Sequence, residues 1–311
     1  MNKNVLVTSC GGDIGQSIGK ILKRLNCTTF GLDISNQNAA QFVFDSFEVG
    51  LRVSNKDYLT WLEQYVSKNQ IDFIIPASEP ELKFYTKNYT DNVSINGAKV
   101  IMANHLSRTI GFSKQKTADF LQQQELPYPK SYTLDSPSIS YPLIAKPIDG
   151  AGSANVFTVR DEADFRFFAE RYEGLIFQEF LDGSSGEFTC GVFRTKNHPT
   201  RTITFRRTLT VGGYSGFGEV VYDKRIDDLL QNVAKHLNLE GSINAQLRIH
   251  NDRPVIFEIN PRFSSTVLFR DMLGYCDLQW SLEAAIGEAI SDYDPVPEGR
   301  KFYKGFNEFI S

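Results

Sequence analysis

Four cysteines in 311 residues is a small number, and their placement removes whole classes of protein. Cys10, Cys27, Cys190 and Cys276 lie far apart with no Cys-x-x-Cys spacing. That argues against a zinc site or a disulfide framework and suits a reducing compartment. Histidine is equally scarce. His105, His198, His236 and His250 are scattered, and none pairs with a serine or cysteine as a triad would, so all four read as structural or solvated. Positive charge is not in excess either. With 33 Lys and Arg against 37 Asp and Glu the net charge is −4, so no large basic field calls for nucleic acid. No run approaches transmembrane length and no signal-peptide core follows Met1, which leads to the expectation of a cytoplasmic chain without a membrane partner. Internal repeats and low-complexity tracts are absent too. What remains is an ordinary composition, 41% hydrophobic and 23% charged, on a chain long enough for two or three packed units.

The first hundred residues alternate short apolar runs with helical periodicity. Residues 4–8 read as a buried strand, and Ile14, Ile18, Ile21, Leu22 and Leu25 recur at helical spacing. Strands at 29–33, 71–75 and 99–102 interleave with helices carrying Tyr58, Leu59, Leu62, Tyr65 and Val66 and starting again near Glu79. Such alternation predicts a parallel, doubly wound sheet, whose ligands bind at the carboxyl ends of the strands. That places the loops 9–15 and 76–81 at a pocket. The spacing Gly11-Gly12-x-x-Gly15 is not the GxGxxG of a dinucleotide site, although Asp33 lies at roughly the offset of a ribose-binding acid. Loop amides facing another anion, such as a carboxylate, and a plain tight turn are the other readings.

A second unit follows. Residues 113–124 read as a helix with Lys114 and Lys116 in its first turn, where cations oppose the helix dipole. The strand 141–147 carries Lys146 among apolar residues, and a buried lysine needs a partner. The small-residue loop 148–156 offers backbone amides that can close over phosphates, or is a flexible hairpin loop. A helix at 162–172 leads to the apolar strand 175–181. The third unit opens with a strand headed by Glu187 and continues with 202–210, basic at Arg206 and Arg207, which spacing alone leaves unassigned beyond nearness to phosphates. The glycine-rich stretch 211–219 reads as a mobile loop and lid, and 227–237 and 278–290 read as helices.

Residues 242–265 carry the densest signal. Two strands joined by Asn251-Asp252-Arg253 put Ala245, Leu247, Ile249, Val255, Phe257 and Ile259 on one face and Asn244, Gln246, Arg248, Glu258 and Asn260 on the other. With the turn centred on Asp252, Gln246 lies opposite Glu258 and Asn244 opposite Asn260. A cluster of side-chain oxygens suits a hard cation such as Mg²⁺, with Arg262 two residues on and placed for a phosphate. An ordinary half-exposed hairpin would show the same alternation.

Taken in order, these segments resemble the ATP-grasp superfamily, and most of all its carbamoyl-phosphate-synthase-like and pyrrolysine-ligase-like members. Lys146-Pro147-Ile148-Asp149-Gly150-Ala151-Gly152-Ser153 resembles the family's lysine and the glycine loop that closes over ATP. Gln178-Glu179-Phe180-Leu181 is similar to its adenine hinge, Glu187 falls where a ribose-binding acid often stands, and Lys114 matches a motif that usually reads Asp-Lys, here with Ser113 in place of the aspartate. Gln246, Glu258, Asn260 and Arg262 resemble the metal hairpin, in which the glutamate often bridges two Mg²⁺ and the arginine meets the triphosphate. The resemblance implies an α/β protein, α+β in its ATP-grasp part. A parallel doubly wound domain (1–102) precedes a two-subdomain ATP-grasp unit (103–178 and 179–311). The implied cofactors are ATP and Mg²⁺, or Mn²⁺ in its place.

The function so implied is a carboxylate–amine ligase that passes through an acyl phosphate and releases ADP and phosphate, in amino-acid or amino-sugar and polysaccharide metabolism. Its partners would be a small carboxylate and a small amine, in a chain that related ligases suggest is a homodimer. Gly11, Gly12, Ser78 and Glu79 are the expected substrate neighbours. Arg262 is expected at the reacting phosphate, and Arg270 either clamps a carboxylate or is a surface charge. One ATP unit rather than two excludes a complete carbamoyl phosphate synthase, and no Ala-Met-Lys-Met biotin site is present. The alternatives are a non-catalytic ATP-binding module and a nicotinamide-dependent oxidoreductase.

Overall fold

A computed structural model describes residues 1–149, 155–210, 213, 215–305 and 307–310. Within them the chain forms three sheets. The first runs, edge to edge, Ser46–Val49, Thr28–Asp33, Asn4–Thr8, Phe73–Pro76, Ala98–Val100 and Ser94–Ile95. All neighbours are parallel except the last pair. Side chains of the central strand alternate between two cores, as a strand buried on both faces requires. Val5 and Val7 meet Ile18, Ile21 and Leu22 of helix Asp13–Arg24. Leu6 meets Leu62, Tyr65 and Val66 of helix Tyr58–Asn69 on the opposite face.

The second sheet is antiparallel, in the order Ser131–Tyr132, Leu175–Glu179, Leu143–Pro147, Phe157–Val159. Helix Glu162–Arg171 covers it, inserting Phe165 among Leu143, Ala145, Val159 and Phe177. The third is also antiparallel, in the order Arg253–Asn260, Gly241–His250, Glu187–Thr195, His198–Leu209, Ser215–Val220, Lys301–Tyr303.

Four features depart from the sequence reading. Residues 215–220, expected within a mobile lid, are a strand paired on both sides, while Val211, Gly212 and Tyr214 of that stretch lie outside the described residues. The helix expected to reach residue 290 stops at Ile286, where Gly287 turns left-handed at φ 76°. Helices His105–Gly111 and Lys114–Gln123, grouped by sequence with the second sheet, bury Ile110, Phe120 and Leu121 against Leu247, Ile256 and Ile259 of the third. The chain beyond the hairpin also crosses back. Phe263, Val267, Leu278 and Leu282 complete the core around Val5 and Val7.

Candidate active site

The hairpin Gly241–His250 and Arg253–Asn260 forms one wall of a cleft of about 1020 Å³. Asn251 and Asp252 both take left-handed backbone angles, φ 47° and 62°, so the connection is a two-residue turn with His250 opposite Arg253. From there strict alternation would put Gln246 opposite Phe257. A bulge intervenes, and Gln246 faces Glu258 and Asn244 faces Asn260, the pairs expected from sequence. The shift between turn and bulge changes several assignments, and Val255, expected in the core, stands opposite Arg248 of the cleft face. Ile256, fully buried, takes the core position, and Phe257, expected in the core, lines the cleft beside Glu258.

The neighbouring strands supply the floor. Glu187 lies directly across from Arg207 on one side and from Arg248 on the other. Its Oε1 accepts from Arg207 Nε and Nη2 at 3.1 and 2.7 Å, and its Oε2 accepts from Arg248 Nε and Nη2 at the same distances. Burial works against the charged carboxylate, but the two guanidiniums prevail and hold its pKa below the usual range. Arg207 Nη2 also donates to Gln246 Oε1 at 2.8 Å.

From the second sheet comes Lys146, 7% exposed, whose Nζ donates to the Phe257 carbonyl at 3.3 Å and sits 5.6 Å from that ring. Burial pushes its pKa down to about 8, against the pull of Glu258 and with the help of Lys114 and Arg248. Gln178 is 2% exposed. Its Nε2 donates to Ser131 Oγ at 3.3 Å and weakly to the Pro129 carbonyl at 3.5 Å, so its Oε1 is a buried acceptor without a partner, on a residue of the cleft wall. Glu179, Phe180 and Leu181 continue that wall, with Glu179 Oε1 3.3 Å from His250 Nε2. Lys114, Asn260 and Arg262 line the cleft as well. Burial lowers the Arg262 pKa, opposed by Glu258 and Glu79, and its Nη1 donates to the Phe263 carbonyl at 3.0 Å.

The first sheet closes the far end with Gly12 and Asp13 at the start of helix Asp13–Arg24 and with Ser78 at the start of helix Glu79–Asn88. Gly11 and Glu79 do not line the cleft. Gly11 N donates to Asp33 Oδ2 at 2.8 Å, and a Cβ there would fall 2.6 Å from the Asn38 side chain. Glu79 pairs with Lys83 at 2.8 Å. Asp33 also accepts from Ser35 N, so the acid that a nicotinamide site would need is spent on shaping the loop.

Arg270 is neither a surface charge nor a cleft residue. It is fully buried, with Nη1 on Asp277 Oδ2 at 2.7 Å, Nη2 on Asn244 Oδ1 at 2.8 Å and on Ser264 Oγ, and Nε on Thr266 Oγ1 at 3.1 Å. Four of its five N–H donors are held by protein oxygens, so it orders the hairpin from behind. Gly150, Ala151, Gly152 and Ser153 lie outside the described residues.

Among the cleft residues that sequence reasoning left without a role are Arg207 and Arg248. Their signal is strand register, since each stands opposite Glu187, and that register exists only once the sheet order is known. Among the described residues no cluster of three or more His, Cys, Asp or Glu forms a metal site. Gln246, Glu258 and Asn260 are instead one carboxylate and two amide oxygens. That set fits a hard divalent cation that draws its remaining ligands from phosphate and water.

Residues 112–266 match a family model described as an ATP-grasp domain. The chain is 23% identical over 204 residues to a carbamoyl phosphate synthase large chain of Campylobacter jejuni, covering 58% of this chain and 19% of that one. It spans about a fifth of the length of the curated relatives it matches. Among solved structures it resembles an L-amino acid ligase from Bacillus licheniformis, with TM-score 0.70 and 18% identity over 92% of this chain and 74% of that one. It also resembles the biotin carboxylase domain of the 2-oxoglutarate carboxylase of Hydrogenobacter thermophilus, solved with MgADP, ADP and bicarbonate. There the TM-score is 0.76 and the identity 14%, over 97% of this chain and 73% of that one. At these identities the likeness is one of fold.

Proposed function

Residues 112–266 are an ATP-grasp domain, and on that premise we propose that the chain is an ATP-dependent carboxylate–amine ligase. The observation that carries this reading is the convergence in one cleft of Lys146, Lys114 and Arg262 with Glu258, Asn260 and Gln178. The three cations are opposite in sign to a triphosphate. Gln178, whose Oε1 is a buried acceptor without a protein partner, borders one recess with Glu179, Phe180 and Leu181, and an adenine carries the exocyclic amine that such an acceptor would take. A divalent cation held by Glu258 and Asn260, with Gln246 beside them, would supply charge neutralisation at the phosphates.

The chain's own groups then act by position. Lys146 and Arg262 stabilise the γ-phosphoryl as a substrate carboxylate oxygen attacks phosphorus, forming an acyl phosphate and releasing ADP. An amine nitrogen next attacks the acyl carbon, the phosphate departs taking up the proton that the nitrogen loses, and an amide remains. No covalent protein nucleophile is needed. Gly12 and Ser78, each at a helix start, stand where the carboxylate would sit, since helix N-termini favour an anion. The loop 150–153 keeps its assignment to the phosphates from sequence alone. Glu187 is not a free acceptor for a ribose, because each of its oxygens already accepts from an arginine. No helix of the described residues is long and apolar enough to cross a membrane. A cytoplasmic setting is proposed from the four free cysteines, and a homodimer from the dimeric neighbour.

The test is a phosphate-release screen over carboxylate and amine panels with the nucleotide product identified. ADP is expected, and Glu258→Ala is expected to abolish its release while nucleotide affinity falls less. AMP as product, or normal turnover in the variant, overturns the proposal.

A further inference from the structure

Arg207 is a fixed charge of the cleft that the proposed reaction leaves without a task. Its side chain is 7% exposed. Glu187 Oε1 anchors it through two N–H groups, and Arg248 secures the other oxygen of that carboxylate, so the guanidinium is clamped in place. A guanidinium does not lose its proton in a protein. Two arginines against one glutamate leave a net positive charge on this floor, and Gln246, being neutral, does nothing to offset it. Arg207 Nη2 nevertheless points at Gln246 Oε1, 2.8 Å away. Of the oxygens suited to a divalent cation, that one is therefore already bonded by a cation. Glu258 and Asn260 remain, on the same wall, with no guanidinium bonded to either among the described contacts.

We propose that the Arg207 guanidinium stands in for a second divalent cation beside Gln246, so that the nucleotide complex of this chain takes one ion, at Glu258 and Asn260. Gln246 is then the residue that aims Arg207, and not a ligand. This departs from the two ions that the resemblance implies, and it rests on the ATP-binding reading of the cleft. It also accounts for a glutamine at this position. A glutamate there would pair with Arg207 and cancel the charge that the triphosphate is to meet, whereas an amide oxygen orients the guanidinium and leaves its charge available.

The experiment counts Mn²⁺ bound per chain by electron paramagnetic resonance at saturating β,γ-imido ATP, with nucleotide binding followed separately by a fluorescent ATP analogue. One Mn²⁺ is expected for the wild type and for Arg207→Lys, which keeps a charge, and two for Arg207→Met, which removes it. Two ions in the wild type overturn the inference whatever the variants do. One ion in a folded, nucleotide-binding Arg207→Met chain overturns it as well. A chain that binds no nucleotide refutes both this inference and the ligase reading, whereas binding with two ions refutes this inference alone.

Discussion

Lys146 shows how one residue's burial becomes a measurable property. Its ammonium sits at 7% exposure with, among the described residues, one carbonyl acceptor and an aromatic face for company. Burial lowers its pKa to about 8 from 10.5. For stability the sign is fixed by which state holds more protons. Between those two values the unfolded chain is protonated and the folded chain is not. This lysine therefore penalises folding below pH 8, and the penalty is relieved as pH rises towards the unfolded value. A triphosphate reverses the preference, because an anion beside the amine restores the charged form. Nucleotide binding at pH 9 is therefore expected to take up close to one proton, and at pH 6.5 none. Titration calorimetry in buffers of different ionisation enthalpy reads that number directly. Uptake that does not change with pH would place the phosphates away from Lys146. The lysine itself was legible in sequence as a lone charge in an apolar strand. Its carbonyl partner was not, because Phe257 O is aimed by a bulge that no periodicity predicts.

That bulge makes the hairpin the most informative element. The polar pairs of its two strands were readable by counting from an assumed turn centre, and they were right for a compensating reason. The turn is one residue shorter than a centre at Asp252 implies, and the extra residue at Phe257 restores the register. The consequence is clearest at two adjacent side chains. Ile256→Ala empties a fully buried position among Leu247, Ile259 and Leu230 and is expected to cost about 3 kcal/mol. Phe257→Ala, at the cleft, is expected to cost less than half of that and to weaken nucleotide binding, because it removes the ring beside Lys146. Urea denaturation of the two variants ranks them, and strict alternation along the strand would give the opposite order. Strand Ser215–Val220 was hidden for a related reason. Its glycines read as loop, yet a Cβ on Gly218 would lie 2.4 Å from the Phe302 ring. The glycine is there so that a distant aromatic can pack across the strand, and local sequence carries no trace of that partner.

At the scale of the whole molecule, the link between the cleft and the fold passes through one buried ion pair. Arg270 and Asp277 are both fully buried, and between them they hold Ser242 and Asn244 of the hairpin, Ser264 and Thr266 of the segment that follows it, and the first residue of helix Asp277–Ile286. That helix then carries Leu278 and Leu282 into the core of the first sheet. The alternation of strands and helices announced the first sheet, and the hairpin announced the third. The crossing between them depends on contacts between residues far apart in the chain, so the spacing of Arg270 gave no sign that it is internal. Burial raises the Asp277 pKa, opposed by Arg270. Removing the guanidinium alone strands a carboxylate in the core, so Arg270→Met is expected to cost roughly 3–5 kcal/mol in urea unfolding at pH 7. The paired variant Arg270→Met with Asp277→Leu removes both charges, and most of that loss should return, because two apolar side chains need no partners. The same pair of proteins decides what Arg270 does. As a positioning residue behind Asn244, its loss should leave nucleotide affinity within a few-fold once stability is restored. A double variant that folds as tightly as the wild type, yet binds nucleotide normally and releases no ADP, would mean that Arg270 reaches the substrate after all.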